Sequence, residues 1–236
     1  MKLTTHPASF LRRTAAAVFA AALSYGTLAA NESEPIARVA IGAEIGTAGY
    51  GPVAVITANK YLTASVGYTW LDFEDTYDSD DASYDGKLKF SNIQARLNWH
   101  PFAGNFHLSA GAFISDNTVD IVGRPKADST YEFGGNVYTA AEVGTVAGRM
   151  NIVDDTVPFV GLGWTKTPAK SGFGFFFEVG VLFIDAPQAT LTSRGGTLSN
   201  DPELKAALAR EVDDINDDLK DLEFYPVVQL GLIYRF

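Results

Sequence analysis

Residues 223–236 read EFYPVVQLGLIYRF. Phe224, Pro226, Val228, Leu230, Leu232, Tyr234 and Phe236 recur at every second position. Glu223, Tyr225, Gln229, Gly231 and Arg235 fall on the other face. Period-two apolarity belongs to a β-strand, whose side chains alternate between two faces. One face of this strand suits hydrocarbon and the other a polar interior. Its length also suits a tilted membrane-crossing strand, which needs about 9–11 residues.

Tyr234 and the closing aromatic Phe236 resemble the signal by which barrel-assembly machinery recognises outer-membrane barrels. The start of the chain agrees with export. Lys2, Arg12 and Arg13 precede an apolar, small-residue run, AAAVFAAALSYGTL, and a small-residue cleavage site at Ala29 or Ala30. This pattern predicts a signal peptide over 1–30 and a single barrel domain over 31–236 in the bacterial outer membrane. No later apolar run is long enough for a membrane helix. The 29 aromatics (16 Phe, 10 Tyr, 3 Trp) cluster near segment ends, as interfacial girdles require. There is no cysteine, which removes disulfides, thiol chemistry and cysteine-based metal sites. Loss of 1–30 removes three basic residues and no acid, taking the formal charge from −10 to about −13. Such a chain does not suit nucleic acid, which favours a basic face.

The fold predicted is all-β, an eight-stranded antiparallel transmembrane barrel with long extracellular loops. Alternation places strands at about 37–46, 52–58, 61–73, 87–99, 105–117, 156–166, 172–184 and 223–236. The first two are separated because residues 38–58 keep one register, and a single strand of that length would span roughly 70 Å. Three long segments remain. Residues 74–86 form an acidic extracellular loop containing Asp78, Asp80 and Asp81. Residues 118–155 carry a hairpin at Gly134-Gly135. Residues 201–222 form an amphipathic helix capped by Asp201, with Pro202 in its first turn and Leu204, Leu208, Val212, Ile215, Leu219 and Leu222 along one stripe.

Parity turns Glu44, Arg96 and Glu178 into the lumen, with Arg38, Gln94 and Gln229. A barrel of eight strands is just wide enough to be filled by side chains. The group therefore reads either as a network that stiffens the barrel or as a narrow polar path gated by a Glu–Arg pair. The acidic loop lacks the order of an EF-hand, so no cofactor or metal is expected. His107 and Ser109 share a strand face, but parity directs them into the lumen and no G-x-S-x-G follows a strand. No enzyme is expected.

The run Gly42 to Gly51, then Ala58-Asn59-Lys60-Tyr61 and Val66-Gly67-Tyr68, resembles the CarO-type outer-membrane proteins, a family associated with carbapenem susceptibility. The runs 138–144, 158–164, Phe177-Glu178-Val179-Gly180 and 224–228 extend the resemblance over most of the chain. It implies a small eight-stranded barrel with uptake of basic amino acids such as ornithine, and it carries no binding residue with it. Two functions follow as expectations: a narrow porin-like channel for small, basic solutes, or a non-conducting barrel displaying loops. Outer-membrane lipids, lipopolysaccharide, the assembly machinery and small cationic solutes are the partners expected. Oligomeric state stays open.

Overall fold

The computed structural model describes residues 38–236 apart from Asp128. The predicted signal peptide lies outside the described residues. Its strands are β1 (Arg38–Gly46), β2 (Gly49–Asn59), β3 (Leu62–Asp78), β4 (Ala82–Trp99), β5 (Phe106–Pro125), β6 (Thr130–Phe133), β7 (Asn136–Thr139), β8 (Gly144–Lys166), β9 (Gly172–Phe183), β10 (Gln188–Gly195) and β11 (Phe224–Arg235). Two helices interrupt them, the single turn α1 (Ala140–Val143) and α2 (Pro202–Leu219). Antiparallel pairing runs β1-β2-β3-β4-β5-β8-β9-β11 and returns to β1, where Glu44 faces Gly231. Eight strands thus close on themselves, which leaves no edge inside the ring.

The outer wall explains the alternation. On β3, Tyr68 and Trp70 point outward and are exposed, as are Leu97 and Trp99 on β4 and Val160, Leu162 and Trp164 on β8. Leu230 and Leu232 on β11 and Phe173 and Phe175 on β9 continue the band. The inner side of β11 is less polar than its alternation predicts, because Val227 and Ile233 also face in and are buried. Pro226 is tolerated because it lies beyond the end of the β1 ladder, where its carbonyl accepts the Thr47 hydroxyl at 3.0 Å.

Several strands run well past this band, and here the predicted boundaries need correction. Residues 74–86 are not a loop: β3 and β4 continue as a ladder to Asp78↔Ser83, and the turn is only Ser79 to Asp81. Residues 118–125 and 144–155 likewise extend β5 and β8. β10, which was not predicted, adds to the extension of β8 from Gln188↔Asn151 to Gly195↔Gly144. The result is an outer sheet of β3, β4, β5, β8 and β10 rising from the far end of the ring.

Polarity inverts where the sheet leaves the band. Above Trp70 the outward positions of β3 become Asp72, Glu74, Thr76 and Asp78, while the inward ones become Leu71, Phe73, Asp75 and Tyr77. Lys87 is ion-paired with Asp72 and Glu74, and Arg124 with Asp85. Arg149 grips Asp120 through two bonds, at 2.6 and 3.1 Å. Those bonds hold the Asp120 carboxyl below its ordinary value. A depressed carboxyl stabilises the fold above its unfolded pKa of about 3.9 and loses that contribution as pH falls through the lower folded value. Arg149→Gln is expected to move the Asp120 titration back toward the ordinary range, which carbon-detected NMR of the carboxyl would read; an unmoved midpoint would refute the pairing.

The predicted hairpin forms as β6–β7, turning through Gly134 (φ 54°) and Gly135 (φ 80°). Two consecutive positive φ values suit a type I′ turn, which glycine adopts without a Cβ penalty. α2 starts where predicted: Asp201 accepts from the Glu203 amide at 2.7 Å, and Pro202 opens the first turn. Leu204, Ala207 and Leu208 are buried against Tyr138 and Val143, with Phe133, Val146, Leu191 and Leu198 alongside. The apolar stripe therefore packs on the other outer segments. It is shorter than predicted, and Leu222 lies beyond it, exposed. Asn216 clasps the free side of β10, accepting from the Ala189 amide at 2.7 Å.

Candidate functional site

The lumen is built from inward positions of all eight strands. Arg96 on β4 reaches across it. Its guanidinium bonds Glu44 of β1 at 3.0 Å, Gln229 of β11 at 2.9 Å and Glu178 of β9. Gln94 donates to the other oxygen of Glu44. The three charged side chains are at most 3 % exposed. A guanidinium has a planar fork of donors, which is why arginine can join two carboxylates from opposite walls. Phe176 lies beneath it, its ring centroid 5.8 Å from the guanidinium carbon. The three residues singled out from the sequence are thus one cluster. Arg38 starts β1, half-buried.

Glycine makes room for the large groups. A Cβ on Gly180 would lie 2.5 Å from the ring of Phe159, and one on Gly161 would lie 2.7 Å from it. Such approaches are possible only where no side chain exists.

Toward the outer sheet, the β1–β2 turn folds into the mouth. The Ala48 carbonyl accepts from Thr69 at 2.8 Å and from Asn92 at 2.9 Å. Asn117 supports Asn92 at 3.2 Å. Thr47 is tied to β11 through its hydroxyl, which accepts from Val228 at 3.1 Å, and its carbonyl, which accepts from Tyr225 at 2.8 Å. Ala48 also joins a buried cluster with Phe113, Val153, Val157, Phe159, Leu182, Ile184 and Val227. The sequence predicts a tight turn at residues 48–51; the turn is instead Thr47–Ala48, because β2 already begins at Gly49, and the seating of this plug in the mouth has no local sequence signal.

At the opposite end, His100 contacts Thr63 at 3.2 Å and the Gly104 carbonyl at 2.8 Å. Its ring lies 5.3 Å from that of His107. His107 Nε2 is 3.7 Å from Glu178. Ala40, Val53, Val55, Phe176 and Ile233 form an apolar cluster beside these groups. A cavity of about 10 Å³ lies between Arg96, Asn98, His107, Thr165 and Glu178. That is the scale of one water molecule. A larger groove, about 730 Å³, lies on the outer wall, where Ala43 sits between Tyr50 and Trp70 on one side and Phe175, Leu230 and Leu232 on the other.

The remaining candidates lie elsewhere. Asp78 ends β3, and Asp80 and Asp81 occupy the turn after it. The Asp81 carbonyl accepts from the Lys126 amide at 2.9 Å and from the Tyr131 hydroxyl. Tyr234 and Phe236 stack edge to face on the outer wall, centroids 5.2 Å apart. Among the described residues, no group of three His, Asp or Glu is placed to hold a metal.

Ring closure, the outward apolar band and the filled lumen define a small antiparallel β-barrel. Its fold matches crystal structures of two Acinetobacter baumannii proteins. CarO2 is 23 % identical, with a TM-score of 0.59, over 86 % of this chain and 100 % of that one. CarO is 24 % identical, with a TM-score of 0.58, over 87 % of this chain and 100 % of that one. No family model and no curated protein matches the chain.

Proposed function

We propose that this chain is a bacterial outer-membrane barrel with a closed lumen, which serves as a membrane anchor and displays a folded outer sheet. The observation that carries this reading is the cross-lumen bridge of Arg96 with Glu44 and Glu178, beneath the Thr47–Ala48 plug. The space left between these groups is about 10 Å³, the scale of one water molecule and far smaller than a free amino acid, which supports a closed lumen. Membrane placement is supported by the exposed apolar band. Its Leu62 to Trp70 stretch on β3 matches the roughly 9–11 residues a tilted strand needs. With the termini on the periplasmic side, the long hairpins and α2 lie outside the cell, where the lipid-facing wall meets lipopolysaccharide.

The narrow channel for small, basic solutes, which the sequence led us to expect first, requires two changes. Arg96 must release a carboxylate, and the Thr47–Ala48 turn must leave Thr69 and Asn92. Lipid vesicles containing the protein are expected to swell in ornithine no faster than empty vesicles. Faster swelling that disappears in Glu178→Gln would replace the closed reading with the channel.

Orientation has its own test. Asp213, Asp214, Asp217 and Asp218 lie on the exposed side of α2. An epitope inserted beside Asp217 is expected to be labelled on intact cells. Labelling only after the outer membrane is breached would invert the topology.

A further inference from the structure

We propose that the unpaired edge of β3, Leu71–Asp78, receives an extended peptide in which basic and apolar residues alternate. The inference rests on the outer sheet being displayed in water, as argued above. β2 accompanies β3 only as far as Tyr50↔Trp70, whereas β4 continues to Asp78↔Ser83. Among the described residues, no strand pairs with Leu71–Asp78 on its other side. Those residues offer about 27 Å of free backbone. The Thr76 amide is turned to the neighbouring Asp75 carboxylate, at 2.9 Å. An open row of amides and carbonyls is a template for strand addition.

The side chains on the two faces of this edge state what the added strand would carry. On the inward face Phe73 is 53 % and Tyr77 69 % exposed, with the exposed Asp75 between them, and Tyr84 and Ile121 beside them are also exposed. The covered part of that face lies at Val146 and Leu191, under α2 and the β6–β7 hairpin. On the convex face the edge carries Asp72, Glu74 and Asp78. Lys87 from β4 pairs with the first two. A strand laid against β3 would set one row of side chains beside Phe73, Asp75 and Tyr77 and the other beside the carboxylates of Asp72, Glu74 and Asp78. Opposite charges on directly facing positions stabilise such a pair and like charges oppose it. A second copy of this edge would bring carboxylates against carboxylates, so self-pairing is disfavoured. The acidic row thus disfavours an acidic strand and favours a basic one.

The test uses the purified full-length protein in detergent micelles, its folded state confirmed by heat-modifiable mobility. The probe is a fluorescently labelled (Lys-Val)4 peptide with blocked ends. It is compared with (Glu-Val)4 and with a peptide of the same charge carrying proline at two valine positions, which cannot complete a ladder. The lysine–valine peptide is expected to bind at least tenfold more tightly than either control. The variant Asp72→Asn, Glu74→Gln, Asp78→Asn should lose at least tenfold, and Thr76→Pro, which removes an edge amide, should lose as much. Equal binding of the proline peptide would reduce the effect to diffuse charge attraction and overturn the proposal. No binding, or self-association that the peptide does not compete with, would overturn it as well. The outcome is separable from the closed-lumen reading. A conducting barrel that binds the peptide would sink that reading alone, and a closed barrel that does not bind would sink this one alone.

Discussion

Arg96→Ala is expected to destabilise the barrel by about 3–5 kcal/mol, the cost of leaving buried charge without its partner. The substitution strands two carboxylates at once, Glu44 and Glu178, each nearly inaccessible to water. Gln229 loses a donor as well. The effect should therefore exceed that of removing either acid alone. Urea titration of the protein in lipid vesicles, followed by the loss of heat-modifiable mobility, measures it. The triple variant Arg96→Met, Glu44→Gln, Glu178→Gln removes the charges together and should recover most of the loss. A cost below about 1 kcal/mol for Arg96→Ala would mean that the bridge is not a structural tie. A triple variant as weak as the single one would assign the loss to packing rather than charge.

The second large effect lies in the apolar half of the lumen. Phe159→Ala should cost about 3–5 kcal/mol, as large-to-small changes at sites that cannot collapse do. Phe159 is 1 % exposed and meets the Phe113 ring at 5.3 Å. The glycines that admit the ring cannot fill the space it leaves. Gly180→Val should also destabilise, because the new side chain meets both that ring and the Val160 carbonyl oxygen. The two substitutions together should be less damaging than the sum of the two alone, since the valine enters the volume the phenylalanine vacates. The same urea titration reads the coupling. Strict additivity would show that Gly180 is not cut to fit Phe159.

These expectations rest on features that were unequally legible. Lipid imposes a strict period of two on any strand it touches, so the inward parity of Glu44, Arg96 and Glu178 could be read from alternation alone. Their meeting at one level could not, because strand tilt and register decide which inward residues share a layer. Val227 and Ile233 are buried at inward positions of β11 in apolar clusters, a packed core that the pattern of a polar lumen does not anticipate. The acidic run 74–86 looked like a loop because its charges broke the apolar alternation. In fact much of the alternation continues with its faces exchanged: Phe73 and Tyr77 turn inward, with Asp75 between them, as Asp72 and Glu74 turn out. Hydrogen bonding to β4 carries the ladder there without lipid. β10 was missed for a similar reason. Its Ala189-Thr190-Leu191-Thr192-Ser193 core is short, and its apolar side chains meet α2 rather than a membrane. The Thr47–Ala48 plug rests on contacts to residues as distant as Tyr225, which no local pattern reports.

Planar-bilayer recording at low salt tests the closed lumen most directly. The wild-type protein is expected to insert without discrete current steps. Steps should appear only when the cross-lumen tie and the plug are weakened together, as in Arg96→Ala combined with Thr69→Val and Asn92→Leu. Reproducible single-channel steps from the wild type would contradict the account. A cation-selective reversal potential that falls when Asp78, Asp80 and Asp81 are neutralised would establish in its place a barrel that conducts small cations.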